Sequence, residues 1–339
     1  MMEKILTVVV PTYNAEKYLR DNLESFVIPE VLQDIEILII NDGSTDQSLI
    51  IAEEYAKRYP ESYRVITKEN GGHGSGINCG IEHAQGTYFK VVDADDWVEK
   101  DAFISLVKTL KMKNADIVHS GFLWAYDCGE ADKTKFQTKA EITTPFREVE
   151  YQKVYRFDDI ADRLYMKMHN MTIRTEILRA NQIWIDEHCY YVDTEYITYP
   201  IPFVETICFI DEFVYYYRLG REGQSVGLDK MQKNERNYDK VINSLLKFYK
   251  KLGREITCSD EKKNYIAGII ARVIAGKIKI MLSFPASRQK KKELVQFERK
   301  IRCEHPEIYS RNKNKALSLL RMSGYLLYYP ASKMVRRMY

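Results

Sequence analysis

Asp93-Ala94-Asp95-Asp96 places three carboxylates in four positions directly after an apolar, β-branched run. Carboxylates at i and i+2 just past a strand can reach one hard divalent cation while also meeting ribose hydroxyls. Mg²⁺ or Mn²⁺ ordinarily binds through one or two carboxylates plus the phosphates of a substrate, and such an ion neutralises a departing diphosphate. Taken alone, the same acids also describe a solvated helix start favoured by the macrodipole. Gly71 to Gly76 fits neither familiar glycine motif: both a dinucleotide fingerprint and a P-loop fail at Ile77, where they need Gly and Lys. What remains is a loop of little side-chain bulk ahead of a helix N-terminus, suited to phosphate, with a flexible connector as the plain alternative. Asp193-Thr194-Glu195, set among Tyr190, Tyr191 and Tyr196, offers acids whose burial would raise a carboxyl toward general-base use. A helix N-cap at Asp193 is the alternative there.

These residues need elements to hold them. From residue 4 to about 120, short β-branched runs alternate with helical patterns, the signature of βαβ units and a mainly parallel sheet. The spacing predicts strands at Ile5–Val10, Ile35–Ile40, Tyr63–Thr67, Thr87–Val92 and Asp116–Ser120. It predicts one helical face of Tyr18, Leu19, Leu23 and Phe26, and a second through Leu49, Ile50, Ala52 and Tyr55. A third helix is expected from near Ser75, with Gly86 as its C-cap. Residues 131–141 read as a polar surface excursion, and Phe213–Arg218 as a Tyr-rich strand. Beyond Arg221 the pattern is helical, with Ile266, Ile270, Val273, Ile274, Lys277 and Met281 in register. The glycines at 220, 223 and 227 predict a boundary, hence a catalytic domain over 1–220 and a helical region over 221–339.

Placed on these elements, four polar or glycine-rich loops fall after four strands. They are Pro11-Thr12-Tyr13-Asn14, Asn41-Asp42-Gly43-Ser44-Thr45-Asp46, Asn70-Gly71-Gly72-His73-Gly74 and the Asp93 group. In an open parallel sheet the carboxyl ends share one edge, and ligands bind there. Their joint placement describes a nucleotide or sugar-phosphate site. No single loop does so.

Composition sets the outer bounds. The chain has 339 residues, 45% of them hydrophobic, which is enough for a sizeable core and about two domains. A net charge of +3 excludes a uniformly basic protein, so no nucleic-acid partner is expected. Six cysteines without a C-x-x-C pair point to neither zinc nor a disulfide framework, and a reducing, cytoplasmic setting is expected. No signal peptide and no uncharged apolar run of membrane-spanning length is apparent in the sequence.

The four motifs, with Asn78-x-Gly80-Ile81, Ala84-x-Gly86-x-Tyr88 and Trp97 in their places, resemble the family 2 inverting glycosyltransferases of GT-A fold over about residues 4–220. The resemblance implies an α/β fold of that type and transfer of a sugar from a UDP-sugar to an acceptor hydroxyl. It implies that Pro11, Thr12, Tyr13, Asn14, Asp42, Asn70, Gly71 and Gly72 line the nucleotide site, with Thr12, Tyr13 and Asp42 at base and ribose. Asp93 and Ala94 would lie at the ribose or sugar, and Asp95 would hold Mn²⁺ or Mg²⁺. Asp193 would be the catalytic base, although Val192 stands where the family usually has Glu, and Glu195 is the substitute. Tyr217-Arg218…Arg221…Gln224-Ser225 resembles a mobile segment that closes on the diphosphate, with Arg218 or Arg221 neutralising charge and Ser225 beside them. His169-Asn170 resembles a segment with donor or acceptor contacts, a core histidine being the alternative. A nucleotidyltransferase is the rival enzyme. It would usually carry a glycine-rich loop with a basic residue after the first strand, and Pro11–Asn14 has neither. A non-catalytic nucleotide-sugar-binding scaffold is the third reading.

Charge is uneven along the chain. After residue 285 there are 14 Lys and Arg against four acids, so this tail carries +10 and the rest −7. Within it, Ala316–Tyr329 is apolar and aromatic but broken by Arg321, too short to span a bilayer and suited to an interfacial helix on anionic lipid. That would set the enzyme beside a polyprenol-linked glycan acceptor on the inner face of the cell membrane. A helical cap or homodimer interface is the alternative.

Overall fold

Leu6–Thr12 (β1) and Ile35–Asp42 (β2) are buried almost throughout, the pattern of parallel strands covered on both faces. The computed structural model describes residues 4–126, 135–137, 149–220 and 228–337. Contacts divide the chain into two compact units, Met1–Glu222 and Gly223–Tyr339.

In the first unit β1 and β2 are joined by Tyr63–Lys68 (β3), Tyr88–Val91 (β4), Trp97–Val98 (β5), Ile117–Tyr126 (β6), Lys135–Gln137 (β7), Val154–Arg156 (β8), Met171–Arg174 (β9) and Thr206–Leu219 (β10). The path through the sheet is β3-β2-β1-β4-β9-β6-β10-β5, with β7 on β6 and β8 on β10. The four strands bearing the polar loops pair in parallel, so their carboxyl ends share one edge as expected. The sheet as a whole is mixed: β9 runs antiparallel to both β4 and β6. β9 has only four residues, too few for its alternation to show in the sequence.

Helices Leu19–Glu24 (α1), Ser48–Arg58 (α2), His73–His83 (α3) and Lys100–Met112 (α4) complete the scaffold; α3 packs on β1 and β2, and α4 on β6 and β10. The buried stripe of α2 is Ser48, Ile51, Ala52 and Tyr55, whereas Ile50 is exposed. The expected stripe was therefore rotated by one residue, because the serine that opens the helix faces inward: its hydroxyl accepts from the amide of Ala15. α3 starts two residues before its expected position. Gly86 is not its cap; the C-cap is Ala84, and a Cβ at Gly86 would collide with the backbone of Leu6 and Thr7.

The second unit is helical. Asp260–Ser283 buries Ile266, Ile270, Ile274, Lys277 and Met281 at the expected spacing. Lys277 is tolerated inside because its ammonium meets Glu235 and Asp239 at 2.8 and 2.9 Å; an unpaired charge there would cost several kcal/mol. The expected single interfacial helix over 316–329 is instead two helices, Lys315–Met322 and Tyr328–Arg337. Gly324 and Tyr325, both at positive φ, break it.

Candidate active site

The loops after β1 and β2 are sewn to each other. Asn14, at φ 49°, accepts from the amide of Thr45 at 2.8 Å and donates its own amide to Ser44 Oγ. Asp46 accepts from the amide of Glu16, and Glu16 from that of Gln47. Thr12 is buried and its hydroxyl donates to the Val10 carbonyl, while the ring of Tyr13 is 54% exposed. Of the residues expected at the nucleotide base, Tyr13 thus presents a free aromatic surface.

Asp42 is buried, and its carboxylate holds the glycine loop. Oδ1 accepts from Lys68 Nζ and the Gly71 amide, each at 2.9 Å, and Oδ2 accepts from the Gly72 amide at 2.7 Å. Three of about four lone-pair sites are thus occupied from within the protein. Asn70 donates its side-chain amide to the Asp42 carbonyl. The loop is shaped rather than slack, contrary to the plain reading of a flexible connector. Beyond it the chain touches residues 185–188: His188 donates its amide to the Gly71 carbonyl, and the Asn78 amide both donates to and accepts from the Ile185 backbone at 2.8 Å. A Cβ at Gly74 would collide with the Asp186 carbonyl. Gly74→Ala is therefore expected to cost about 1–3 kcal/mol of stability, measurable as a lowered Tm; an unchanged Tm would show that the segment yields freely.

The acid loop after β4 is braced from β10 and α1. Asp96 is buried, its carboxylate accepting from the Tyr215 hydroxyl and from the Arg218 amide at 2.7 Å. Burial, then Asp95 and Asp93, push its carboxyl well above the usual range. The Tyr215 oxygen in turn accepts from the Asp93 amide, and Asn22 donates to the carbonyls of Asp93 and Asp96. Ala94 is buried beneath the loop, so it can offer a ligand only its main chain. Arg218 donates from Nε to the Asp95 carbonyl and lies over the rings of Tyr18 and Trp97 at 5.1 and 4.7 Å. Its guanidinium also reaches Asp21. Arg218 is thus committed to bracing the loop; Arg221, Gln224 and Ser225 lie outside the described residues. Tyr215→Phe should cost about 1–3 kcal/mol by stripping a donor from a buried carboxyl and an acceptor from the Asp93 amide, and thermal denaturation would show it.

At the centre stands His73, the first residue of α3. Its Nε2 lies 2.8 Å from Asp93 Oδ1. Desolvation would lower its pKa, but Asp93, and behind it Asp193 and Asp95, outweigh that and raise it. His73 therefore pairs with Asp93, and the charges of Asp193 and Asp95 act on it. Asp193 opens the short helix Asp193–Thr198 without capping it; the N-cap is Val192, which is buried. Asp193 is exposed to water. Desolvation raises its carboxyl above the usual range, His73 and Lys167 pull it back, and Asp93 pushes it up. Glu195 is fully buried and accepts from the Asp186 amide at 2.8 Å, so it supports the preceding segment. His169 is half-buried in an aromatic cluster: it stacks on Tyr215 at 4.6 Å, and burial drops its pKa to about 3, leaving it neutral. Lys90, wholly buried, donates to the His169 carbonyl, and burial lowers its pKa to about 7.

A divalent ion fits this donor set. Asp95 and Asp93 supply hard oxygens on a half-exposed loop, and among the described residues no preformed cluster of three ligands exists. Carboxylates of this kind ordinarily hold Mg²⁺ or Mn²⁺ with substrate phosphates and water completing its shell.

His73, Asp96 and Tyr215 were not assigned roles from sequence. Each left a signal there: His73 in the glycine-loop motif, Asp96 as the third acid of its run and Tyr215 in the Tyr-rich strand.

Residues 7–174 match the model for glycosyl transferase family 2. The chain belongs to that family. The glycosyltransferase is 28% identical over 272 residues to the uncharacterized glycosyltransferase EpsJ of Bacillus subtilis (strain 168), covering 78% of this chain and 75% of the relative. In fold it is similar to S. aureus TarS 1–349 in complex with UDP-GlcNAc, with a TM-score of 0.62 and 18% identity over 97% of this chain and 92% of that one. It is also similar to the mannosyltransferase PcManGT of Pyrobaculum calidifontis in complex with GDP-Man and Mn²⁺, with a TM-score of 0.50 and 14% identity over 98% and 86% of the two chains. The GT-A architecture expected from sequence is thereby established, and the nucleotidyltransferase reading is set aside.

Proposed function

We propose that this glycosyltransferase moves a sugar from a UDP-sugar to a hydroxyl of a glycan acceptor, lipid-linked, in surface-polysaccharide biosynthesis, with inversion at the anomeric carbon. The observation that carries it is the sheet edge where His73 meets Asp93 at 2.8 Å beside a glycine loop held by Asp42. Tyr13 would stack on the nucleotide base. The amides of the glycine loop and the start of α3 would face the phosphates. Asp95, with Asp93 beside it, would hold Mg²⁺ or Mn²⁺, which when bound supplies positive charge for the diphosphate. Arg221 is the proposed cation on the departing side, with Arg218 bracing from behind. Asp193 takes the proton of the acceptor hydroxyl as it attacks, and His73 keeps Asp193 ionised by lying among the three acids. Tyr190, exposed three residues before Asp193, offers an acceptor sugar an aromatic face.

The transfer chemistry is assigned to residues 1–220, and the basic region 221–339 to an anionic membrane surface, with a homodimer interface as its alternative. No helix among the described residues is long and apolar enough to cross a membrane. The reading is tested with a panel of UDP-sugars and Mn²⁺ or Mg²⁺, measuring UDP release with and without a lipid-linked acceptor. Release that depends on metal and is stimulated by acceptor is expected. No release with any donor would favour a binding scaffold.

A further inference from the structure

Half of the large hydrophobic side chains exposed among the described residues fall within sixteen positions: Leu319, Met322, Leu326, Leu327, Tyr329 and Met334. They sit on the outer side of the helix pair Lys315–Met322 and Tyr328–Arg337 and on the turn joining them. The inner side is accounted for: Leu317, Leu320, Tyr328 and Val335 are buried. The turn is also rigidly anchored. Arg321 donates to both carboxylate oxygens of the buried Glu298, at 2.6 and 2.9 Å, and Tyr325 adds a third bond to the same group. Gly324 and Tyr325 at positive φ then turn the chain so that Leu326 and Leu327 point outward, 77% and 44% exposed, beside Met322 at 83%. A fixed, outward apolar tip is costly in water.

The surroundings of the tip decide what covers it. No acidic residue follows Glu307, whereas Arg311, Lys313, Lys315, Lys333, Arg336 and Arg337 all do, and all six are exposed. An apolar tip whose flanking sequence carries only cations is the complement of an anionic bilayer surface, with headgroups for the cations and the acyl boundary for the tip. A second copy of this chain would bring a like-charged rim against it.

We propose that the 322–327 turn is a membrane wedge: Met322, Leu326 and Leu327 enter the headgroup–acyl boundary of an anionic phospholipid leaflet while Lys315, Lys333, Arg336 and Arg337 meet the headgroups. This deepens, and rests on, the membrane role proposed for residues 221–339; it does not depend on the identity of the sugar donor.

The full chain is tested by flotation with phosphatidylcholine vesicles made with and without phosphatidylglycerol, at low and raised salt. Binding to the anionic vesicles, weakened by salt, is expected. The triple variant Met322→Gln, Leu326→Asn, Leu327→Asn should bind them at least about tenfold more weakly with an unchanged Tm. Lys333→Gln with Arg336→Gln and Arg337→Gln should remove most of the salt dependence. Binding by the triple variant equal to that of the parent would overturn the wedge while leaving the membrane role standing. Failure of the parent to float would overturn both. A parent that sediments as a dimer and a triple variant that sediments as a monomer would assign the tip to self-association and overturn the proposal. UDP release measured on the same preparations reports separately on the transferase reading.

Discussion

Asp193→Asn should slow sugar transfer by about 10²- to 10⁴-fold, the span of a general-base contribution, while leaving Tm unchanged. The side chain neither caps its helix nor fills the core, so its loss removes chemistry and little else. The amide keeps the shape and cannot take a proton. The pH dependence follows from the same carboxyl. Its pKa is raised by desolvation, the working form is the ionised one, and so the parent's rate is expected to climb with pH through that raised value and fall away below it. His73→Gln removes a cation that pulls Asp193 down, so the acid limb of the pH–rate profile should move to higher pH. Near-normal turnover by Asp193→Asn would reject the base; an unmoved acid limb in His73→Gln would reject the coupling.

Asp95→Ala should lower turnover by about 10³-fold, equivalent to several kcal/mol of charge stabilisation. The loop's own fold should survive, because Arg218 bonds to the Asp95 carbonyl and the remaining braces go to Asp93 and Asp96. Calorimetry separates the two: UDP binding in the presence of Mn²⁺ should weaken, while binding with chelator present should match the parent. A variant that kept both turnover and metal response would remove Asp95 from the metal role. Tyr215→Phe is the contrasting case, expected to lose stability first.

The parts of the site that lie close along the chain were legible in the sequence. Each polar loop follows its own strand within a few residues, and β-branched runs mark those strands without reference to anything distant. The rest depends on separations that local pattern does not record. His73 meets Asp93 across 20 residues, Tyr215 meets Asp96 across 119 and Asn78 meets Ile185 across 107. Arg218 shows the cost: its type and position suit a phosphate ligand, yet Tyr18 and Trp97, far from it in sequence, fix it as a brace. The outward apolar turn was visible as composition but not as shape, since a positive φ at Tyr325 is not written in its residue type.

The paired hydrogen bonds between the Asn78 side chain and the Ile185 backbone bear on how such an enzyme can change over generations. They fasten the helix that begins at the glycine loop to the stretch leading into Asp193. Because both bonds run to main-chain atoms, the side chains of that segment are free to vary while its backbone path is not. Strand β10 is bound by a like constraint of its own, since its Tyr215 and Arg218 brace the acid loop.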